Sequence, residues 1–170
     1  MKNIELKVEV DNFKNIINKL KKNGATERGV LSQTDTYYNC KDRLKLREEN
    51  GKVFRLVFYV RPNKKEAKVS NFDIIDFDKK QAMALKEVLK KAYGEKVVVK
   101  KERRLWMYKS TRIHLDKVGN LGTFLELETL VKKDMKSAMQ EYEKLVDFLE
   151  LDNYKKLTKS YSDMLLGKSS

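Results

Sequence analysis

The chain has 170 residues, of which 38 are Lys or Arg and 25 are Asp or Glu, so its formal net charge is +13. This length predicts one domain over residues 1–170, and the positive charge favours polyanionic partners, which include nucleic acids, membrane surfaces and phosphorylated small molecules. A single cysteine, Cys40, excludes an internal disulfide, and no apolar stretch is long enough for a signal peptide or a membrane span. We therefore expect a cytoplasmic protein.

Apolar spacing predicts three helices along the chain. The first begins after Asp11 or Asn12 and ends at Gly24, the second covers residues 79–92 and the third covers residues 135–149. Side chains suited to N-caps precede all three, and glycines that can end a helix follow the first two. Each helix has one apolar stripe, which indicates packing against a core.

Strands with one charged face alternate with these helices. They are predicted at residues 2–10, at 43–47 and 53–60 as one hairpin, at 97–108 and 111–116 as a second hairpin, and at 122–131. In the last strand Glu126 and Glu128 share a face, while Leu125 and Leu127 face the other way, towards a core. Two like charges so close together repel unless water, cations or a metal ion offset the repulsion.

The charges on these strand faces are grouped by sign. A sheet with one solvated face explains the alternation, but such a face usually mixes the two signs. A barrel with a polar interior would instead place cations around a phosphate chain and acids around a metal, so the grouping favours the barrel. The basic group is Lys45, Arg47, Lys101, Arg103 and Arg112, and the acidic group is Glu5, Asp116, Glu126 and Glu128.

The stretches that carry these groups resemble the CYTH family of triphosphate tunnel enzymes, which includes class IV adenylyl cyclases and thiamine triphosphatases. They occur in the family's order, and their spacing is nearest to the adenylyl cyclase-like branch. The matching stretches are NIELK at 3–7, TDTYYN at 34–39, RLKLRE at 43–48, FYVRPN at 58–63, RIHLDKV at 112–118, GNLGTFLELE at 119–128 and KSYSDML at 159–165.

The resemblance implies an α+β fold, in which an eight-stranded antiparallel β-barrel forms a tunnel with three to four helices outside it. The tunnel would hold a triphosphate and Mg²⁺ or Mn²⁺. The implied triphosphate-binding residues are Lys45, Arg47, Arg61, Lys101, Arg103, Arg112 and Lys159. The implied metal ligands are Asp116, Glu126 and Glu128, and the implied catalytic residues are Glu5, Lys7 and Tyr37.

Two positions depart from the family pattern. Asn3 stands where the family has the first Glu of its N-terminal motif, and Val60 stands where it has a tunnel lysine. Arg61 is adjacent but has the opposite strand parity, so it could replace that lysine only if a bulge near Pro62 turned it inward. Weaker chemistry, a different substrate and an inactive binding protein are all compatible with these departures.

Three further features have a structural and a functional interpretation. His114 could carry protons in the tunnel or could be structural. Trp106 and Tyr108 could stack on a purine, but a core position is the more common role for such a pair. The lysine pairs at helix ends are scattered and lack interleaved aromatic residues, which argues against a nucleic-acid footprint.

We therefore expect a divalent-cation-dependent protein that binds and hydrolyses a triphosphate, whether inorganic tripolyphosphate, thiamine triphosphate or a nucleoside triphosphate. The expected partner is a triphosphate-containing small molecule rather than a membrane or a nucleic acid, and a homodimer is left open. The alternatives are an adenylyl cyclase that forms cyclic AMP and pyrophosphate, a catalytically silent polyphosphate-binding or nucleotide-binding module, and a basic nucleic-acid-binding protein.

Overall fold

Eight strands and four α-helices form the part of the chain that the computed structural model describes, residues 3–60 and 72–168. A short 3-10 helix, Leu151–Asn153, follows the third α-helix. Within these ranges, none of the helices has the length and apolar character needed to cross a membrane. In chain order the elements are β1 (Asn3–Glu9), α1 (Lys14–Lys22), β2 (Thr26–Tyr38), β3 (Arg43–Glu49), β4 (Val53–Tyr59), β5 (Phe72–Phe77), α2 (Lys79–Tyr93), β6 (Glu95–Tyr108), β7 (Thr111–Val118), β8 (Gly122–Leu130), α3 (Met135–Leu149) and α4 (Tyr161–Lys168).

All eight strands belong to one antiparallel sheet in the order β1-β8-β7-β6-β2-β3-β4-β5. The predicted α+β class, the antiparallel strands and the external helices are confirmed. The sheet is not closed by hydrogen bonds, because among the described residues its two edge strands, β1 and β5, are not paired with each other. It is curved instead, so that residues of β1 and β5 line the same cavity.

Local signals fix the ends of the helices. Asp78 and Gln81 form a reciprocal capping box at the start of α2, and Asp134 accepts a hydrogen bond from the Ser137 backbone N–H at the start of α3. Gly94 follows α2 with a φ of 71°, a conformation that glycine adopts without steric cost. The predicted bounds of α2 and α3 therefore agree with the observed ones to within a residue.

Two of the apolar clusters lie on the outside of the sheet, under the helices. Under α1 and α3, buried residues of β1, β6, β7 and β8 pack together, and this core includes Trp106, which is 2% exposed. The core interpretation of Trp106 is thus confirmed. Tyr108 packs at the edge of the same cluster, with its ring edge-on to Phe148 at 5.8 Å. A smaller cluster, centred on Leu46 and Leu89, joins α2 to the outer face of β3.

The C-terminal segment links β1 to β3. Residues 155–157 run beside the free edge of β1, where the Leu157 N–H donates to the Lys7 carbonyl at 2.9 Å and the Glu9 N–H donates to the Lys155 carbonyl at 3.2 Å. At α4, Arg43 of β3 pairs with Asp163 at 2.5 Å. This segment therefore spans part of the gap that the hydrogen bonds of the sheet leave open.

Candidate functional site

The curved sheet encloses a cavity of about 420 Å³. Strands β3, β4 and β5 form one wall, strands β1, β7 and β8 form the other, and residues 157–160 pass along the edge. Alternation of side chains along each strand points most of the charged residues inward and most of the buried apolar residues outward to the helices, although Val57 and Ile74 also line the cavity. Eight residues of the predicted site line this cavity, namely Glu5, Lys7, Lys45, Arg47, Arg112, Glu126, Glu128 and Lys159.

Asp35 of β2 lies at the centre of the basic residues. It accepts two hydrogen bonds from Arg47, at 2.6 and 2.7 Å, and one from Lys45 at 3.0 Å. The Lys101 ammonium is 3.7 Å away. Burial opposes ionisation of the carboxyl, but Lys45 and Arg47 outweigh that effect and hold the pKa of Asp35 well below its usual range.

One carboxylate cannot fully neutralise three cations. Lys45 and Lys101 are 9% and 8% exposed, and burial, which disfavours the charged form, lowers their pKa values to about 8 and about 7. Arg103 lowers the pKa of Lys101 further, because the two positive charges repel. When both lysines are protonated, this cluster has an excess of positive charge in a poorly solvated place, which is the environment that a phosphate chain requires.

Arg103 joins the basic cluster to the acidic residues. It donates two hydrogen bonds to Asp116, at 2.7 and 2.6 Å, and one to Glu126 at 2.7 Å. Asp116 is fully buried and also accepts a hydrogen bond from the Tyr161 hydroxyl at 2.9 Å. The structure thus places Asp116 in a bidentate ion pair, and its assignment as a metal ligand stays a prediction.

Glu126 and Glu128 lie on the cavity face of β8 beside His114 of β7. The His114 Nδ1 atom is 3.6 Å from Glu126 Oε2 and 3.8 Å from Glu128 Oε1, and one ligand atom from each residue lies within 4.8 Å of the others. Among the described residues these three could hold a metal ion. Burial opposes ionisation of Glu126, but His114, Lys7 and Arg103 lower its pKa well below the usual value.

The N-terminal strand brings two predicted catalytic residues to the acidic wall. Glu5 lines the cavity directly opposite Glu128 in the β1–β8 register. The Lys7 ammonium is 2.9 Å from Glu126 Oε1 and 3.9 Å from the centre of the Tyr161 ring. Asn3, at the position of the missing family Glu, also lines the cavity, so its amide faces the same space that the acid would occupy.

The other predicted residues have different surroundings. Arg112 lines the cavity, with Nε 3.3 Å from Glu128, and Lys159 lines it from the C-terminal segment. Tyr37 is buried behind the lining, and burial together with the negative charge of Asp35 raises its pKa well above the usual value. Val60, which directly follows β4, is 52% exposed, and Arg61 lies outside the described residues.

Sequence reasoning missed the roles of two residues, Asp35 and Tyr161. Both occur in stretches that support the family resemblance, but Asp35 lies on a strand with little apolar alternation. Tyr161 lies in the first turn of α4, which apolar spacing did not predict. The Tyr161 ring packs against Phe124, and the Lys7 ammonium lies over the face of this ring. The Tyr161 hydroxyl donates a hydrogen bond to Asp116. The sequence did contain a signal for Asp35: it is an acidic residue two positions before Tyr37, so the two side chains share one face of a polar strand.

Comparisons with known proteins show which sequences and folds this chain is similar to. The sequence pattern described as "CYTH domain" matches residues 1–161. A curated protein of Methanocaldococcus jannaschii, named "Putative adenylate cyclase MJ0240", is 27% identical over 174 residues, covering 95% of this chain and 97% of that protein. The solved structure of the PH1012 protein from Pyrococcus horikoshii superposes with a TM-score of 0.76 at 22% identity, covering 95% of this chain and 98% of the other. The PH1819 protein of the same organism gives 0.70 at 25% identity, covering 98% and 99%.

Proposed function

Because the chain belongs to the CYTH family, we propose that it binds the triphosphate group of a small molecule in the cavity and hydrolyses it with a divalent cation. The observation that carries this proposal is the meeting of two opposite charge clusters across a single cavity. Lys45 and Arg47 supply cations from one wall, and Glu126 and Glu128 supply carboxylates from the other. Phosphate oxygens need the first group and hard cations need the second.

Each cluster would act on a different part of the bound molecule. Lys45 and Arg47 line the cavity and would neutralise phosphate oxygens, while Lys101 adds positive charge from beyond that lining. The Arg47–Asp35 pair holds the guanidinium in place. Arg112 contacts the anion from the opposite wall. Phosphoryl transfer depends mainly on positioning and on neutralisation of charge, so a preorganised cavity of this kind supplies most of what the reaction needs.

Glu126 and Glu128 fit a divalent cation, because carboxylate oxygens are the ligands that Mg²⁺ and Mn²⁺ prefer. Their separation from the basic cluster would let the cation contact the phosphates from the other side. When bound, such a cation withdraws charge from phosphate oxygens. In our proposal Lys7 orients Glu126, with which it pairs at 2.9 Å, Glu5 extends the acidic wall, and Tyr37 supports Lys45 from behind the lining.

A second candidate is the adenylyl cyclase reaction, which the name of the archaeal relative favours. A hydrolase orients water at the terminal phosphorus, whereas a cyclase directs the ribose 3′-hydroxyl at the α-phosphorus and releases pyrophosphate. The same charge arrangement can serve either reaction. We place hydrolysis first because the sequence contains no motif for base or ribose recognition.

Product analysis separates these candidates. Purified protein is incubated with tripolyphosphate, thiamine triphosphate or ATP, with Mg²⁺ or Mn²⁺, and the products are resolved by chromatography. We expect orthophosphate from tripolyphosphate; cyclic AMP plus pyrophosphate from ATP would establish the cyclase instead. A silent binding module would give no product but would still bind tripolyphosphate more tightly than orthophosphate. Equal and negligible binding of both would reject the proposed function.

Triphosphate binding at pH 8.5 should be accompanied by uptake of protons. In the free protein the pKa values of Lys101 and Lys45 are about 7 and about 8, so both are largely neutral at that pH. A bound anion favours the ammonium form and raises both pKa values, so protons are taken up and affinity falls as pH rises through this range. Titration calorimetry of tripolyphosphate in buffers of different ionisation enthalpy measures the uptake.

A matched pair of variants isolates the contribution of Lys101. Lys101→Arg keeps a positive charge at every pH, so its uptake should be smaller than that of the wild type by roughly half to one proton. Lys100→Arg, on the exposed outer face of the same strand, should match the wild type. Identical uptake by Lys101→Arg and the wild type would contradict the assignment of Lys101 to the binding site.

A further inference from the structure

We propose that His114 supplies a nitrogen ligand, through Nδ1, to the divalent cation held by Glu126 and Glu128, and that this nitrogen makes the site prefer Mn²⁺ over Mg²⁺. The inference rests on one part of the proposed function, namely that the two glutamates hold a cation. It adds a ligand outside the set of Asp116, Glu126 and Glu128 that the family resemblance implies, and it assigns a metal preference to that ligand.

The sheet register brings the three side chains together. His114 and Glu126 are direct partners on β7 and β8, and Glu128 follows two residues later on the same face of β8. Two ligands of one cation, each bound at about 2.1 Å, lie roughly 3 to 4.2 Å apart. The separations of 3.6 and 3.8 Å from Nδ1 to the two carboxylates fall within that range. They are too long for direct hydrogen bonds.

His114 is buried, and its inward nitrogen lacks a partner. The side chain is 6% exposed, and Nδ1 is a buried atom for which the described residues provide no hydrogen-bond partner. Leaving such an atom unsatisfied costs stability. In the metal-free protein a proton on Nδ1 would face the two carboxylates, which agrees with the lowered pKa of Glu126. In the tautomer with its proton on Nε2, Nδ1 presents a lone pair, and a cation between the three residues would take the place of the Nδ1 proton.

Chemistry at the two carboxylates favours a metal that accepts nitrogen. Glu126 already contacts Lys7 and Arg103, and Glu128 faces Arg112 at 3.3 Å. These positive charges offset part of the attraction that the acids exert on a hard cation. Mg²⁺ and Mn²⁺ both bind carboxylate oxygens well, but Mn²⁺ is a first-row transition metal that also accepts an imidazole nitrogen, which the hard Mg²⁺ ion binds only weakly. The nitrogen therefore contributes more to the binding of Mn²⁺ than to the binding of Mg²⁺.

The test uses the fact that His114 is the only histidine in the chain. Protein free of any histidine tag is labelled with ¹⁵N-histidine and loaded with Mn²⁺ without a triphosphate. Pulsed electron paramagnetic resonance then reports whether ¹⁵N is bonded to the metal. We expect a ¹⁵N hyperfine coupling of directly bound imidazole in the wild-type protein, a measurement that needs neither a variant nor turnover.

A variant gives the second readout. In His114→Gln the affinity for Mn²⁺ should fall by roughly tenfold or more, while the affinity for Mg²⁺ should change much less. Its melting temperature in EDTA shows whether the variant is folded. Mn²⁺ binding without ¹⁵N coupling would overturn this inference and leave the proposed function intact. Failure of the wild type to bind either metal would overturn the inference. If triphosphate turnover also persisted in EDTA, the cation requirement of the proposed function would be overturned as well.

Discussion

Replacing Asp35 by Asn should lower the free energy of unfolding by about 3 kcal/mol or more, because it leaves buried cations without their counter-charge. Asp35 is 2% exposed and is the carboxylate shared by Arg47, Lys45 and Lys101. The amide keeps the shape of the side chain but cannot offset the repulsion among these three groups. Urea denaturation at pH 6.5, where the two lysines carry most of their charge, measures the loss.

Asp76→Asn is the matched control for this prediction. Asp76 forms a similar cross-strand pair with Arg55 at 2.8 Å, but its side chain is 72% exposed. Exposed pairs contribute at most about 1 kcal/mol, so this variant should be close to the wild type. Tripolyphosphate should raise the melting temperature of Asp35→Asn by more than it raises that of the wild type, because the bound anion replaces the missing charge. A loss of stability no larger than that of Asp76→Asn would show that Asp35 does not hold the basic cluster together.

Replacing Glu126 by Gln should lower triphosphate turnover by well over tenfold and weaken binding of the divalent cation. Glu126 contributes a carboxylate to the acidic wall and also pairs with Lys7 and Arg103. Without its negative charge these two cations attract phosphates more strongly, so binding of tripolyphosphate in EDTA should be unchanged or tighter. Steady-state kinetics with Mn²⁺ and calorimetry in EDTA measure the two opposite effects.

Glu143→Gln, on the exposed face of α3, is the control for general effects of charge removal and should keep full turnover.

The pattern of Glu126 contacts also alters an expectation based on the sequence alone. Two neighbouring acids should repel, so neutralising one should not harm the metal-free protein. Because Lys7 and Arg103 already pair with Glu126, we expect Glu126→Gln to melt at a lower temperature than the wild type in EDTA. Unchanged turnover and unchanged metal affinity would remove Glu126 from the site.

Features that depend on near neighbours in the chain could be predicted from the sequence. Period-two alternation placed Leu125 and Leu127 on one face, towards a core, and Glu126 and Glu128 on the other, because successive side chains of a strand point to opposite faces. In the structure the first pair packs under the helices and the second lines the cavity. The bounds of α2 and α3 follow from capping residues that act within one helical turn. Alternation did not reveal β2, whose polar face and mixed outer face have no clear apolar stripe, or the short strand β5.

Strand pairing between distant parts of the chain decided which charged side chains contact one another. By itself the sequence determined that the basic and acidic side chains share one face of each strand, because alternation is local to each strand. Only the tertiary structure decided which charges meet: β2 lies between β3 and β6, so Asp35 binds Arg47 and approaches Lys101. It likewise brought Tyr161 from the C-terminal helix to Asp116. The physical reason is that a charge has a strong effect only within a few ångströms, and which residues come that close depends on the register and curvature of the whole sheet.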